Sequence, residues 1–293
     1  MLLTQYIKKK KIIQKKLNFY NILLNDNEIK KYYLKIIKEI NSYNYKNILK
    51  IGISGAQGSG KSRFSIILKI LIESIINKKV LILSIDDFYL TLKEREKLSN
   101  NIHPLFITRG VPGTHDINLL NRIINNIELG NLKNIKIPIF SKNLDDRLKK
   151  TIKISYIPDI IIIEGWCINT SPLPRKILMK SINIIEKKFD KNYVWRQYYN
   201  NQLKNYYKDL FLKLNFNIFL KVPNCKKIFK WKQLQEKKLS KNNIINQKKL
   251  KYFIMHYEKI TKWMINNYYN TSDICLNINN QHNFCKIIFN KEH

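Results

Sequence analysis

Apolar positions follow two rhythms along this chain. Ile29, Tyr33, Ile36, Ile37 and Ile40 recur at the spacing of one helix face. From Ile48 the spacing closes into a run (Ile48, Leu49, Ile51, Ile53) that reads as a strand, and helical spacing resumes at Phe64, Ile67, Leu68 and Leu71. The unbroken apolar runs Val80 to Ile85 and Ile157 to Glu164 are what strands covered on both faces need. Phe216 to Val222 reads as a fourth strand, and Ile274 to Ile278 as a short fifth. Helices are expected from Ile117 and over Asn192 to Tyr207, Cys225 to Leu239 and Tyr252 to Trp263. Strands alternating with helices predict an α/β fold. Residues 1–47 carry neither Gly nor Pro and read as a basic helical extension packed on the domain formed by 48–293. The aromatics at helical spacing, and His256 among them, are assigned to the core.

Between the first strand and its helix the chain spells Gly55-Ala56-Gln57-Gly58-Ser59-Gly60-Lys61-Ser62-Arg63, a G-x-x-x-x-G-K-S phosphate loop in its proper context. Glycines let successive backbone N–H groups curl round a triphosphate where a Cβ would obstruct them. The helix N-terminus adds unpaired donors and a positive dipole end. Lys61 is placed to reach the β- and γ-phosphates and Ser62 to ligate Mg²⁺, so a nucleoside triphosphate site is expected here.

Other candidate chemistry sits at strand ends. The second strand ends in Asp86-Asp87-Phe88-Tyr89, and the carboxyl ends of strands form the rim where ligands bind in open α/β sheets. A carboxylate there can accept the proton of an attacking hydroxyl or help hold Mg²⁺. Glu164 closes the most hydrophobic strand, a Walker B arrangement; a buried carboxylate without a partner is costly, so a metal or cation partner is expected. Arg109-Gly110-Val111-Pro112-Gly113-Thr114-His115-Asp116 specifies a particular loop in a chain with only eight glycines. The Arg109 fork suits a carboxylate or phosphate, and Asp116 is equally suited to cap the helix from Ile117. The stretch Ile137 to Arg147 reads simply as a strand end and a charged loop.

Composition adjusts this picture in three places. At 293 residues and 44% hydrophobic, the chain can bury a sizeable core. The net charge of +33 would draw nucleic acid or anionic membrane at low salt. Only seven of the 54 basic residues are Arg, with no Arg-rich stripe or paired stacking aromatics, so the charge is read as dispersed, without a specific nucleic-acid or membrane partner. Cys167, Cys225, Cys275 and Cys285 are too scattered for a disulfide framework or zinc site. With no signal-like opening and no run of apolar residues long enough to span a bilayer, a cytoplasmic setting is expected.

Taken in order, the phosphate loop, I-D-D-F-Y-L-T, R-G-V-P-G-T-H-D, E-G-W-C and W-K-Q-L-Q-E resemble the D-glycerate 3-kinase family of P-loop kinases, related to pantothenate kinase, uridine kinase and phosphoribulokinase. The resemblance runs from about Tyr33 to Lys286 and implies a parallel sheet in the order 2-3-1-4-5, helices on both faces and a helical lid over about 224–250. It implies that Asp86 is the general base and that Lys61 and Ser62 meet phosphate and Mg²⁺. Glu164 matches the Mg²⁺ carboxylate, and Tyr89, Arg109, Asp116, Asp146 and Arg147 match substrate-side positions. In the lid, Lys232 stands where the family usually has Arg, which keeps the charge and loses the planar fork. The implied activity is ATP- and Mg²⁺-dependent phosphorylation of a small hydroxy acid, D-glycerate first, giving 3-phosphoglycerate. Pantothenate, a nucleoside or another sugar acid is the alternative acceptor, and a basic nucleic-acid-binding NTPase the alternative of another class.

Overall fold

The computed structural model describes residues 1–239, 247–268 and 271–290; the part of the expected lid at 240–246 lies outside them. Six strands form the main sheet: β1 (Leu49–Gly55), β2 (Val80–Ser84), β3 (Ile160–Gly165), β4 (Phe216–Lys221), β5 (Ile274–Ile278) and β6 (Phe284–Phe289). Their order across the sheet is β2-β3-β1-β4-β5-β6. The first five run parallel in the expected order, and β6 adds an antiparallel edge on β5 that the sequence reading did not anticipate. Its pattern, Phe284-Cys-Lys-Ile-Ile-Phe289, is half exposed and too irregular to announce a strand.

β3 shows why the central strands read as continuous apolar runs. Ile160 and Ile162 join one buried cluster while Ile161 and Ile163 join another, on the opposite face. The first cluster takes in the phosphate-loop helix (Lys61–Ile75) and the N-terminal segment. There Tyr6, Ile13 and Leu17 of the helix Leu2–Phe19, with Ile29, Tyr33, Ile36, Ile37 and Ile40, are all buried. The residues of 1–47 therefore share a core with the sheet. The second cluster takes in the helix Ile117–Glu128 and the long helix Gln247–Asn267.

Three local readings are corrected. The second strand stops at Ser84, and Ile85–Phe88 is a 3₁₀ turn, so Asp86 and Asp87 are not alternating strand residues. The helix expected over Asn192 to Tyr207 is α-helical at Val194–Gln202 and continues as a π turn at Leu203–Tyr207. The stretch read as a charged loop contains two small ribbons: Lys136–Ile137 pairs with Ile152–Lys153, and Phe140–Ser141 with Asp146–Arg147.

Candidate active site

The phosphate loop leaves β1 and turns into its helix through left-handed backbone at Gly58 (φ 74°) and Gly60 (φ 91°), which only glycine adopts without strain. Lys61 folds back to donate to the Ala56 carbonyl at 3.1 Å. Ser62 donates from Oγ to Glu164 Oε1 at 2.8 Å, joining the first turn of the helix to the end of β3. The helix Cys225–Leu239, in the stretch expected to form a lid, lies directly on the loop, for a Cβ placed on Gly58 would sit 3.4 Å from Trp231 Cβ.

Around this loop lies a cavity of about 220 Å³. Gln57, Gly58, Gly60, Lys61, Ser62 and Arg63 line its phosphate side, with Lys232 reaching in from the helix Cys225–Leu239. Asp86, Tyr89, Arg109 and Glu164 line the rest, together with Lys142, Trp166, Phe253 and Tyr257. Of the other expected site residues, Gly55, Ala56 and Ser59 shape the loop from behind: the Ser59 N–H donates to the Ala56 carbonyl. Asp116 caps the helix Ile117–Glu128 by accepting from the Leu119 N–H at 3.0 Å. Arg147 donates to the carbonyls of Phe88 (3.0 Å) and Tyr89 (2.6 Å) and pairs with Asp116 at 3.5 Å. Asp146 accepts from the Leu92 N–H. Asp116, Asp146 and Arg147 thus brace the loop that presents Asp86 and Tyr89, and do not line the cavity.

Asp86 and Asp87 are driven apart by their surroundings. Asp86 accepts from Lys142 Nζ at 2.7 Å. Burial would raise its carboxyl, but Lys142, Lys61 and His115 outweigh that and hold it at about 2. Asp87 instead accepts from the Phe140 N–H, and burial raises its carboxyl above the ordinary 3.8. The Lys61 ammonium is pushed down by burial, with Glu164 and Asp86 opposing. Arg109 pairs with Asp145 and lies over the rings of Phe140 and Phe253, 5.4 and 5.5 Å from their centroids. Behind it, Tyr257 donates to the Arg109 carbonyl at 3.0 Å and Trp166 to that of Gly110, also at 3.0 Å.

These groups suit a divalent metal. Ser62 Oγ and the Glu164 carboxylate form an oxygen pair beside the loop, the donor type a hard cation such as Mg²⁺ takes. Among the described residues no three His, Cys, Asp or Glu side chains converge as a metal cage, and a Mg²⁺ site of this type is completed by phosphate oxygens and water.

No family model matches the chain. It is 30% identical over 196 residues to the protein called uncharacterized kinase mug58 of Schizosaccharomyces pombe, an alignment covering 64% of this chain and 69% of that one. The chain belongs to the D-glycerate 3-kinase family of P-loop kinases. It is also 41% identical over 139 residues to the probable ATP-dependent kinase TDA10 of Saccharomyces cerevisiae, covering 43% of this chain and 47% of that protein. The fold is that of the D-glycerate 3-kinase of Cryptococcus neoformans, with a TM-score of 0.71 at 21% identity over 88% of this chain and 97% of the other. The cavity-lining residues that sequence reasoning missed are Lys142, Trp166, Phe253 and Tyr257. Trp166 lies within the quoted E-G-W-C motif; Phe253 and Tyr257, four apart on one helix, look like ordinary core positions until the sheet is assembled.

Proposed function

We propose that this kinase transfers the γ-phosphate of ATP, with Mg²⁺, to a hydroxyl of a small hydroxy acid, D-glycerate being the first acceptor to test and 3-phosphoglycerate its product. The supporting observation is how charge is distributed in the cavity. Five cations, Lys61, Arg63, Arg109, Lys142 and Lys232, line it against two carboxylates, Asp86 and Glu164. A site with this excess of cations suits an anionic donor together with an anionic acceptor. The fold shared with the Cryptococcus D-glycerate 3-kinase makes D-glycerate the first acceptor to try.

In this reading Gly55 to Arg63 cradle the triphosphate, with backbone N–H groups and Lys61 on its oxygens. Ser62 and Glu164 hold Mg²⁺, which when bound neutralises charge on the phosphates. Asp86, ionised at neutral pH, orients the acceptor hydroxyl and accepts its proton. Lys232 closes from the lid helix, and Tyr89 and Arg109 border the acceptor. Positioning and fixed charge supply most of the catalysis.

The test is ADP release by the purified chain with Mg²⁺ and a panel of D-glycerate, other sugar acids, pantothenate, nucleosides, DNA and RNA. D-glycerate should drive turnover, and Lys61→Ala should lower it by about 10²-fold or more. Turnover driven by pantothenate or a nucleoside instead would reassign the acceptor, and stimulation by nucleic acid alone would defeat the reading.

A further inference from the structure

Lys142 and Asp86 form an ion pair inside the cavity, between side chains that come from different elements. Asp86 belongs to the 3₁₀ turn after β2, and Lys142 follows the first strand of the ribbon Phe140–Ser141/Asp146–Arg147. The ribbon is anchored to that same turn. Asp87 accepts from the Phe140 N–H, and Arg147 donates to the carbonyls of Phe88 and Tyr89. Arg109 grips Asp145 at the ribbon's tip. The backbone beneath Lys142 is therefore fixed relative to Asp86. Its side chain is not packed in: it is 55% exposed, against 30% for that of Asp86. A lysine so placed is a point charge on a flexible stem, held within reach of one carboxylate and free to turn to another.

The pair raises a chemical difficulty. A carboxylate whose Oδ2 already accepts from an ammonium at 2.7 Å has that oxygen occupied and its basicity suppressed. An acceptor hydroxyl can reach Asp86 through Oδ1, but a carboxylate so paired is a poor destination for its proton until Lys142 leaves. A neutral alcohol offers Lys142 nothing in exchange. An acceptor that carries its own carboxylate a few bonds from the hydroxyl does, because it replaces one charge-assisted bond by another and leaves Asp86 to the hydroxyl.

We propose that Lys142 is the specificity-determining residue of this kinase: it exchanges its bond to Asp86 for one to the acceptor's carboxylate, so that only an acidic acceptor releases the base. The inference rests on the reading of the site as a hydroxy-acid kinase, and names the residue that enforces that class. The neighbouring cation serves a different end. The Arg109 guanidinium is already committed to Asp145 and held between Phe140 and Phe253, so it is the less exchangeable of the two.

The experiment compares D-glycerate with glycerol, which keeps the hydroxyls and lacks the carboxylate, in the wild type and in Lys142→Ala and Lys142→Arg, following ADP release by the full chain. In Lys142→Ala the KM for D-glycerate should rise about tenfold or more, the cost of one charge-assisted hydrogen bond. Glycerol should hold steady or gain, because Asp86 is freed from Lys142, so that the preference for the acid over the alcohol falls by at least the same factor. Lys142→Arg, which keeps the charge, should retain most of the preference. Equal losses on both acceptors in Lys142→Ala, or an unchanged preference, would overturn the proposal while leaving the hydroxy-acid reading intact. A wild type that phosphorylates neither D-glycerate nor any other hydroxy acid would overturn both.

Discussion

Three carboxylates stand near the phosphate loop, and each meets a different partner. Asp86 faces Lys142, Asp87 the Phe140 N–H, and Glu164 the Ser62 hydroxyl. Replacing each by its amide separates their roles, because the amide keeps the shape and removes the charge. Asp86→Asn should lower kcat by about 10²-fold or more, with little change in ATP affinity, since the acceptor proton loses its destination. Glu164→Gln should raise the Mg²⁺ concentration needed for half-maximal rate. Asp87→Asn retains an oxygen for the Phe140 N–H and should do least to the chemical step. Steady-state rates with Mg²⁺ titrations of the three variants decide it. A dead Asp87→Asn beside an active Asp86→Asn would reverse the assignment.

One helix, Gln247–Asn267, links the site to a buried charge network. Phe253 and Tyr257 line the cavity, and two residues on from Tyr257 the ammonium of Lys259 meets Glu186 at 3.2 Å. Glu186 also faces Arg196, which pairs with Asp190 at 2.7 Å, and all four residues are at most 3% exposed. Lys259 donates in addition to the carbonyls of Ile177 and Lys180. Burial pushes its ammonium down and the Glu186 carboxyl up, and each charge offsets the other's shift. Removing one member strands the rest, which costs more than the network contributes when whole. Lys259→Met should therefore destabilise the protein by about 3–5 kcal/mol in urea titrations. It should weaken acceptor binding before it affects nucleotide binding, because the wall it holds packs against Arg109, which is proposed to border the acceptor. Gly110 makes that wall close-fitting: a Cβ there would lie 2.4 Å from the Tyr257 ring, on backbone at φ 144°. A Lys259→Met protein of unchanged stability would show that the network is not what fastens the helix.

Across the whole molecule, acid and salt act on different groups. Burial lowers His115 from 6.5 to about 3 and His256 from 6.5 to about 4, so both are neutral in the fold. The unfolded chain takes up those protons first, so their effect is a loss of stability that begins as pH falls below 6.5. Asp86 acts lower: its folded value of about 2 lies below the ordinary 3.8, so its contribution is complete above 3.8 and lost as pH falls through about 2. The urea midpoint should accordingly drop between about pH 7 and about pH 5.5, and drop less in His115→Gln. A midpoint that holds steady across that range would show that neither histidine is held neutral. The net charge of +33 has the opposite visibility, acting through solvent. Binding to DNA or RNA should be sequence-blind and fade steeply from low to physiological salt. A sequence-selective complex that survives about 0.2 M salt would contradict the dispersed reading of the charge.

What the sequence determined alone is what neighbouring residues settle among themselves. The phosphate loop needs glycines, Lys61 and Ser62 within a few positions of one another, so its chemistry is legible without a fold. The strands β2 and β3 are legible for a similar reason: burial on two faces demands a continuous apolar run, and β3 could hardly be read otherwise. β6, buried only in part at the sheet edge, carried no such demand. The tertiary structure decided everything that depends on distant residues meeting. Asp86 and Lys142 are 56 positions apart, and Lys142 sits in a stretch whose local pattern says only charged loop. Asp116 and Arg147, which match substrate-side positions by motif, are turned to bracing because their partners are a helix end and two backbone carbonyls. Phe253 and Tyr257 show the periodicity of core residues and do pack against the core, yet both also line the cavity. A side chain's type is written locally, but whether it faces solvent, a carbonyl or a substrate depends on which distant element the chain brings opposite it.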